Sequence, residues 1–263
     1  VWAAMPDLGP VGALTATFSS DPKVTQAVER NAPLLLVGGG VFLVLLFLHW
    51  LFLEDKEFAW QRIEGFFSRR SVWFYAAASL VLTVITWEAV AHANPMMAFS
   101  ATLGSTAFFI THGFRQAAER VEEDLASDKG RLSDLSKVMY LQAIDATFSI
   151  DGVLGAFAFT LSVPLILIGN GIGAWVVREL TVKNIERIGR YRYLQNGAMY
   201  SILVLGMIMV LESFGCHIPN YVSPLATVSI VLYFFWRSVA ANRLEARIPV
   251  PPVREHPTGQ SND

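Results

Sequence analysis

The chain has 263 residues, of which 53% are hydrophobic and only 16% are charged. Soluble domains carry about one-quarter charged residues, so this composition argues against a soluble globular protein. The net charge of −2 gives no indication of nucleic-acid binding, and the single cysteine, Cys216, excludes an internal disulfide.

Seven apolar segments are each long enough for a membrane-spanning helix, which needs about 20 residues. In chain order they cover residues 33–53, 72–93, 96–114, 137–161, 163–180, 197–214 and 221–240. Helix-breaking prolines lie in the short breaks at 92–95, 162–164 and 216–220. We therefore predict an all-α membrane protein, a bundle of about seven transmembrane helices over residues 33–240.

The basic residues predict the orientation of this bundle, because cytoplasmic loops of membrane proteins are enriched in Lys and Arg. Eighteen of the 20 basic residues lie near the C-terminal ends of the first, third, fifth and seventh spans or in the connections and tail that follow them. Only Lys23 and Arg30 fall on the other side. The N-terminus is therefore expected outside and the C-terminus in the cytoplasm.

The segments outside the bundle carry three further expectations. Residues 1–32 form an extracytoplasmic segment without a signal-peptide apolar region, and the chain begins at Val1, so we expect further sequence upstream. The connection 115–136 has the mixed charge of a solvated cytoplasmic helix, and it is also a candidate contact for a protein partner. The polar, proline-rich tail at 241–263 is expected to be disordered.

Two aspartates, Asp145 and Asp151, lie within the apolar stretch DATFSIDGVLGAFAFT of the fourth span. Each costs about 2.5–3.5 kcal/mol at the centre of a transmembrane helix, and such residues usually face the bundle interior and mark an ion path. In an unbroken helix they point about 120° apart. Gly152 permits local unwinding, and unwound helices build cation sites from carbonyls and carboxylates. The alternative is a structural role, for example pairing with Arg178.

Other polar or glycine-rich motifs are weaker signals. Asn170 in LIGNGIGAW could add an amide oxygen to a site, although tight helix packing is the alternative explanation of this stretch. The glycines at 38–40 lack the Lys-Ser/Thr of a phosphate loop and predict close helix packing instead. No nucleophile–base set or nucleotide motif is visible, so an enzyme is not expected.

Four motifs carry a family resemblance, and they occur in this order: FLEDKEFAW, YLQAIDATFSIDGVLGAFAFT, IGNGIGAWVVRELTV and YRYLQNGAMYSI. From about residue 33 to residue 240 the chain resembles the TerC-like integral membrane proteins, most closely a branch catalogued as a domain of unknown function. The resemblance implies two related repeats, each with an acidic motif in a transmembrane helix. It also implies a link with manganese efflux and tellurite resistance in the bacterial inner membrane.

The second-repeat motif of that family falls on Ser149, Asp151 and Gly152, with Asp145 upstream. The first-repeat motif, SxDN, is absent from residues 1–136. The expected metal ligands are thus Asp145, Ser149, Asp151 and Asn170, and they form at most half of a two-repeat site.

The leading functional expectation is a component of a divalent-cation transporter, with Mn²⁺ favoured, because carboxylate and amide oxygens suit hard cations. The ion would be the transported substrate, so no resident cofactor is expected. The expected partners are the lipid bilayer and the metal ion, and nucleic acid is not expected. Two alternatives stay open: a non-transporting scaffold or stress-response partner, and a proton-coupled carrier in which the two aspartates relay protons.

Overall fold

A computed structural model describes residues 22–54, 59–68, 71–126, 156, 162–188, 191–219 and 221–245. Within these ranges the chain forms seven α-helices, one 3₁₀ turn at Ser71–Trp73 and no strand. The helices are α1 (Pro22–Leu53), α2 (Gln61–Ser68), α3 (Phe74–Ala91), α4 (Pro95–Ala126), α5 (Val163–Ile188), α6 (Leu194–Ser213) and α7 (Val222–Glu245). The predicted all-α class is confirmed.

Helix α1 is the centre of the bundle. It packs against α2, α3, α4 and α6, while α7 packs on the far side of α6. A helix that is apolar all round is expected to be buried. Accordingly, Val37, Val41, Leu45 and Trp50 of α1 are completely buried.

Glycines set the closest crossings of α1. A Cβ atom added at Gly104 of α4 would lie 2.8 Å from the carbonyl carbon of Gly38, and one added at Gly206 of α6 would lie 3.0 Å from the carbonyl oxygen of Gly40. Ser100 also donates a hydrogen bond to the carbonyl oxygen of Leu34. Small residues allow helix backbones to approach closely in membrane proteins. The helix-packing interpretation of the glycine run at 38–40 is therefore confirmed.

Four helical segments of the described chain are long and apolar enough to cross a membrane. They are Ala32–Leu53, Ser71–Ala91, Leu194–Ser213 and Val222–Arg243. These correspond to the first, second, sixth and seventh predicted spans. The outer faces of α3 and α7 expose large apolar side chains such as Trp87 and Trp236, as lipid-facing helices do.

The third, fourth and fifth predicted spans have different outcomes. The third and fifth lie in helices α4 and α5, but neither is among the four long apolar segments. The apolar part of α5, Pro164–Val176, is shorter than a full span, and α4 continues into the charged sequence that ends at Ala126. The fourth predicted span, 137–161, lies outside the described residues except for residue 156.

Several helix ends differ from the predicted boundaries. Helix α1 begins at Pro22 and includes Pro33, so it starts within the segment predicted to precede the bundle. The first part of the predicted helix at 115–136 is helical as far as Ala126. Helix α7 continues to Glu245, so the predicted tail begins with a helical turn, and residues 246–263 lie outside the described residues.

The proline breaks at 92–95 and 216–220 separate helices as predicted, and the residues before the break at 162–164 lie outside the described residues. Helix α3 ends at Ala91 and α4 begins at Pro95, the first helical position, where proline is tolerated because no backbone donor is needed. After α6, Gly215 adopts φ +86° and the Cys216 N–H donates to the carbonyl oxygen of Leu211 at 3.1 Å. This left-handed glycine satisfies the free carbonyls at the end of the helix.

Candidate functional site

A buried carboxylate, Glu64, lies where α2 meets α6. Glu64 is 0% exposed. Its Oε2 atom accepts the backbone N–H groups of Ala59 at 2.7 Å and Trp60 at 3.3 Å. The side chain thus reaches back from the first turn of α2 to the backbone just before the helix, in the manner of an N-terminal capping residue. Negative charge is favourable at this end of a helix.

Two polar side chains of α6 complete the hydrogen bonding of Glu64. The Asn196 Nδ2 atom donates to Oε1 at 3.2 Å and to Oε2 at 3.3 Å, and the Tyr200 hydroxyl donates to Oε1 at 3.1 Å. Asn196 and Tyr200 are four residues apart, so they lie on one face of α6. The carboxylate therefore joins the segment at 59–68 to the middle of the bundle.

Aromatic rings surround this carboxylate. Tyr200 stacks on Phe234 of α7, with ring centroids 5.4 Å apart and an interplanar angle of 8°. The Trp60 ring lies 5.1 Å from Tyr200 and 5.7 Å from Phe234. The Tyr200 ring also contacts Phe47 and Trp50 of α1. We call Glu64, Asn196 and Tyr200, together with these rings, the Glu64 cluster.

Arg237 of α7 ties a third helix to the same region. Its guanidinium donates to the carbonyl oxygen of Ala59 and to the Tyr233 hydroxyl at 3.3 Å, and it lies 5.8 Å from the centre of the Tyr193 ring. The segment at 59–60 is consequently held by α2, α6 and α7 together.

The hydrogen bonds of the Glu64 cluster give it a structural role. A carboxylate has about four acceptor positions, and donors from four residues already occupy those of Glu64. A cation would have to displace these donors before it could bind. The cluster therefore fixes the connection after α1 against α6 and α7.

The predicted metal ligands are largely outside the described chain. Asp145, Ser149 and Asp151 lie outside the described residues. Asn170 is described, in α5, where it is partly buried. Among the described residues there is no group of three or more His, Cys, Asp or Glu side chains that could hold a metal ion. That the four predicted ligands lie close together thus stays a prediction.

The residues around Asn170 in α5 differ strongly in their exposure. Ile166, one turn earlier, is only 5% exposed. Leu165, Ile168 and Ile172 are between 58% and 60% exposed. Residues four apart share a helix face, so Asn170 lies on the same face as the buried Ile166. The one side-chain amide of the segment Pro164–Val176 is therefore partly buried, one turn after a buried residue.

Residues 1–245 of the chain match the model of a protein family described as "Protein of unknown function (DUF475)". The chain belongs to the DUF475 family. No curated protein and no solved structure shows significant similarity to it. The expectation of a family catalogued as a domain of unknown function is thus confirmed, whereas the relation of this DUF475 chain to TerC-like proteins stays a prediction.

Sequence reasoning missed the Glu64 cluster in this DUF475 protein. Glu64 lies in a connection with several charges, where an acidic residue is normally solvated. The usable signal was the pair Asn196 and Tyr200, two polar side chains one turn apart in the motif YRYLQNGAMYSI. Such a pair on one face of an apolar helix indicates a polar partner, but the sequence does not say which.

Proposed function

We propose that this DUF475 protein is an integral-membrane component of divalent-cation transport, with Mn²⁺ as the favoured ion and efflux as the direction. Its four long apolar helices support the membrane setting. The proposal extends to Asp145 and Asp151 as ligands from the fourth predicted span, with Ser149 and Asn170 as supporting ligands.

The observation that supports this proposal is the partly buried amide of Asn170, one turn after the buried Ile166. Between Pro164 and Val176, Asn170 and Trp175 are the side chains with a hydrogen-bonding group, and only Asn170 offers an oxygen. Its face of α5 includes buried Ile166, while the apolar neighbours on other faces are exposed. Polar residues within membrane helices usually face the bundle interior or a path for ions. The acidic sequence 145–151 precedes α5 closely in the chain, which favours its oxygens as partners for this amide.

The chemistry of the ligands supports a hard cation. Carboxylate, hydroxyl and amide oxygens suit Mg²⁺, Ca²⁺ and Mn²⁺ better than soft metals, which prefer sulfur. The charge of a divalent ion also offsets the cost of placing two carboxylates in an apolar environment. The preference for Mn²⁺ rests on the resemblance to TerC-like proteins.

The orientation and location belong to the same proposal. The asymmetry of the basic residues favours an extracytoplasmic N-terminus and a cytoplasmic C-terminus. The resemblance favours the bacterial plasma membrane, and the link with tellurite resistance comes from it as well.

The test is the manganese content of cells that lack their own manganese exporters. Expression of the full protein should lower intracellular manganese, as measured by elemental analysis. Asp151→Asn keeps the size of the side chain but removes its charge, so it should abolish this effect, and Asp145→Asn should weaken it. Leu154→Ala, an apolar change in the same segment, is the matched control. Unchanged export in Asp151→Asn at equal membrane expression would overturn the site assignment.

A further inference from the structure

Arg237 of α7 lies at one end of the bundle rather than in its middle. Its guanidinium donates to the carbonyl oxygen of Ala59, which belongs to the connection between the first two predicted spans. It also lies 5.8 Å from the ring centre of Tyr193, the residue directly before the apolar segment Leu194–Ser213. Both partners stand just outside apolar segments, so the guanidinium is at the level where a membrane meets water.

The guanidinium is held in position, but its positive charge has no carboxylate partner. The Tyr233 hydroxyl accepts a second hydrogen bond from Arg237 at 3.3 Å. No carboxylate of the described residues forms an ion pair with Arg237, and the Glu64 carboxylate, which bonds the Ala59 N–H, is occupied by other donors. An arginine has five N–H donors, and two are used within the described chain. Three donors and the full charge are therefore left for an anion.

The donor groups at this point suit a phosphate. The planar guanidinium of arginine matches the spacing of two phosphate oxygens and forms charge-assisted hydrogen bonds with them. Tyr233 is 51% exposed, and its hydroxyl can donate its own hydrogen while the oxygen accepts from Arg237. Arg237 and Tyr233 are four residues apart, so they lie on one face of α7 and can contact the same phosphate.

An apolar stripe on α7 leads up to this pair. We call the α7 stripe the large apolar side chains that are between 52% and 75% exposed and are spaced by three or four residues: Leu225, Val228, Leu232 and Trp236. At 1.5 Å per residue the α7 stripe is about 16 Å long, which is about half of the 30 Å hydrocarbon core of a bilayer. Its last residue directly precedes Arg237. The α7 stripe thus has the length of one lipid chain in one leaflet, with the arginine at its headgroup end.

We propose that Arg237 and Tyr233 bind the phosphate of an anionic phospholipid whose acyl chain lies along the α7 stripe. A net negative headgroup balances the charge of Arg237, whereas the ammonium group of a zwitterionic lipid offsets its own phosphate. A free phosphate ion would use the same donors but would leave the α7 stripe uncovered. Tryptophan and tyrosine are typical of the headgroup level of membrane proteins, as Trp236 and Tyr233 would be here. The proposal rests on the membrane setting and does not depend on cation transport.

Quenching by brominated phospholipids tests this surface. Cys216→Ser removes the single thiol, and Ala240→Cys, an exposed position one turn after Trp236, carries a fluorophore. The full chain is placed in phosphatidylcholine nanodiscs that contain increasing shares of one lipid brominated near the headgroup, either phosphatidylglycerol or phosphatidylcholine. A basic residue near an anionic membrane surface contributes about fivefold in affinity. Half-maximal quenching should therefore need about fivefold less brominated phosphatidylglycerol than brominated phosphatidylcholine.

Variants of the labelled protein locate the preference. Arg237→Gln should make the two quenching curves coincide, and Tyr233→Phe should reduce the difference between them. Arg243→Gln is the matched control, because it removes the same charge from an exposed position in the last turn of α7. It should keep the preference for phosphatidylglycerol.

Three results would overturn the proposal. Equal quenching curves in the protein with Arg237 intact would do so however well the variants fold. An equal loss of preference in Arg237→Gln and Arg243→Gln would show attraction by surface charge instead of binding at this site. Quenching by phosphatidylglycerol that inorganic phosphate abolishes would identify a plain anion site without a lipid. No Mn²⁺ is present in these measurements, so the lipid preference is decided separately from the proposed transport.

Discussion

Replacement of Glu64 should destabilise the protein more than any change at an exposed acidic residue. Glu64→Ala removes the acceptor for the Ala59 and Trp60 backbone N–H groups and for the donors of Asn196 and Tyr200. Each buried donor left without a partner costs about 1–3 kcal/mol. If two of them find no substitute, the loss is about 2–6 kcal/mol.

The conservative variant should cost less for a reason visible in the cluster. In Glu64→Gln the amide oxygen can keep the N–H groups of Ala59 and Trp60, while the amide nitrogen faces Tyr200, whose hydroxyl can turn and accept. The variant loses the hydrogen bond from Asn196 to the Oε1 position, and it also loses the negative charge. Hydrogen bonds to charged groups contribute about 1.5–3 kcal/mol each, so we expect a loss of about 2 kcal/mol.

The assay is thermal unfolding of the purified protein in detergent. Each kcal/mol shifts the melting temperature of a chain of this size by about 2–4 °C, so Glu64→Ala should melt roughly 4–24 °C lower. Glu88→Ala is the control, because Glu88 is about half exposed and should shift stability by no more than about 0.5 kcal/mol. Equal melting temperatures for Glu64→Ala and Glu88→Ala would refute the anchoring role of Glu64.

Three further predictions concern packing, orientation and the metal path. Gly104→Ala should cost about 1–3 kcal/mol because the new Cβ meets the Gly38 backbone, whereas Gly113→Ala on the same helix meets nothing within 4 Å and should be neutral or stabilising in the same melting assay. Cys216 is exposed and lies in the α6–α7 connection, so a membrane-impermeant maleimide should label it in intact cells; labelling that requires permeabilised membranes would reverse the proposed orientation. Asn170→Leu should reduce manganese export, while Ile168→Leu, on an exposed face of α5, should not; equal export by both variants would remove Asn170 from the ion path.

The sequence predicted the helical class because hydrophobicity and proline placement act locally. Long apolar runs predicted helix α1 over 33–53 and helix α6 over all but the last residue of 197–214, and the proline at 95 marks the start of α4. The start of α1 at Pro22 was not predicted. Proline is typical of the first turn of a helix, so Pro33 indicated a helix start, but it lies inside α1. Short helix α2 was missed because eight residues in a charged connection give no strong periodic signal.

The Glu64 cluster and the ring contact between His49 of α1 and His112 of α4 depend on which helices become neighbours. Glu64 meets Asn196 across 132 positions of the chain, and His49 meets His112 only because α1 packs against α4. Hydrophobic patterns identify helices but not their partners, so these contacts could not be predicted from residue types. Asn170 was predicted as a polar residue in an apolar helix, whereas its partial burial beside Ile166 is seen only in the structure.

Metal flux through the purified protein tests the central claim most directly. Liposomes that contain the full protein and a manganese-sensitive dye are exposed to a Mn²⁺ gradient, beside empty liposomes and liposomes with Asp151→Asn. We predict rapid Mn²⁺ movement with the wild-type protein and movement at the rate of empty liposomes with Asp151→Asn. Wild-type protein that moves Mn²⁺ no faster than empty liposomes would contradict the proposal that this DUF475 protein forms part of a cation transporter.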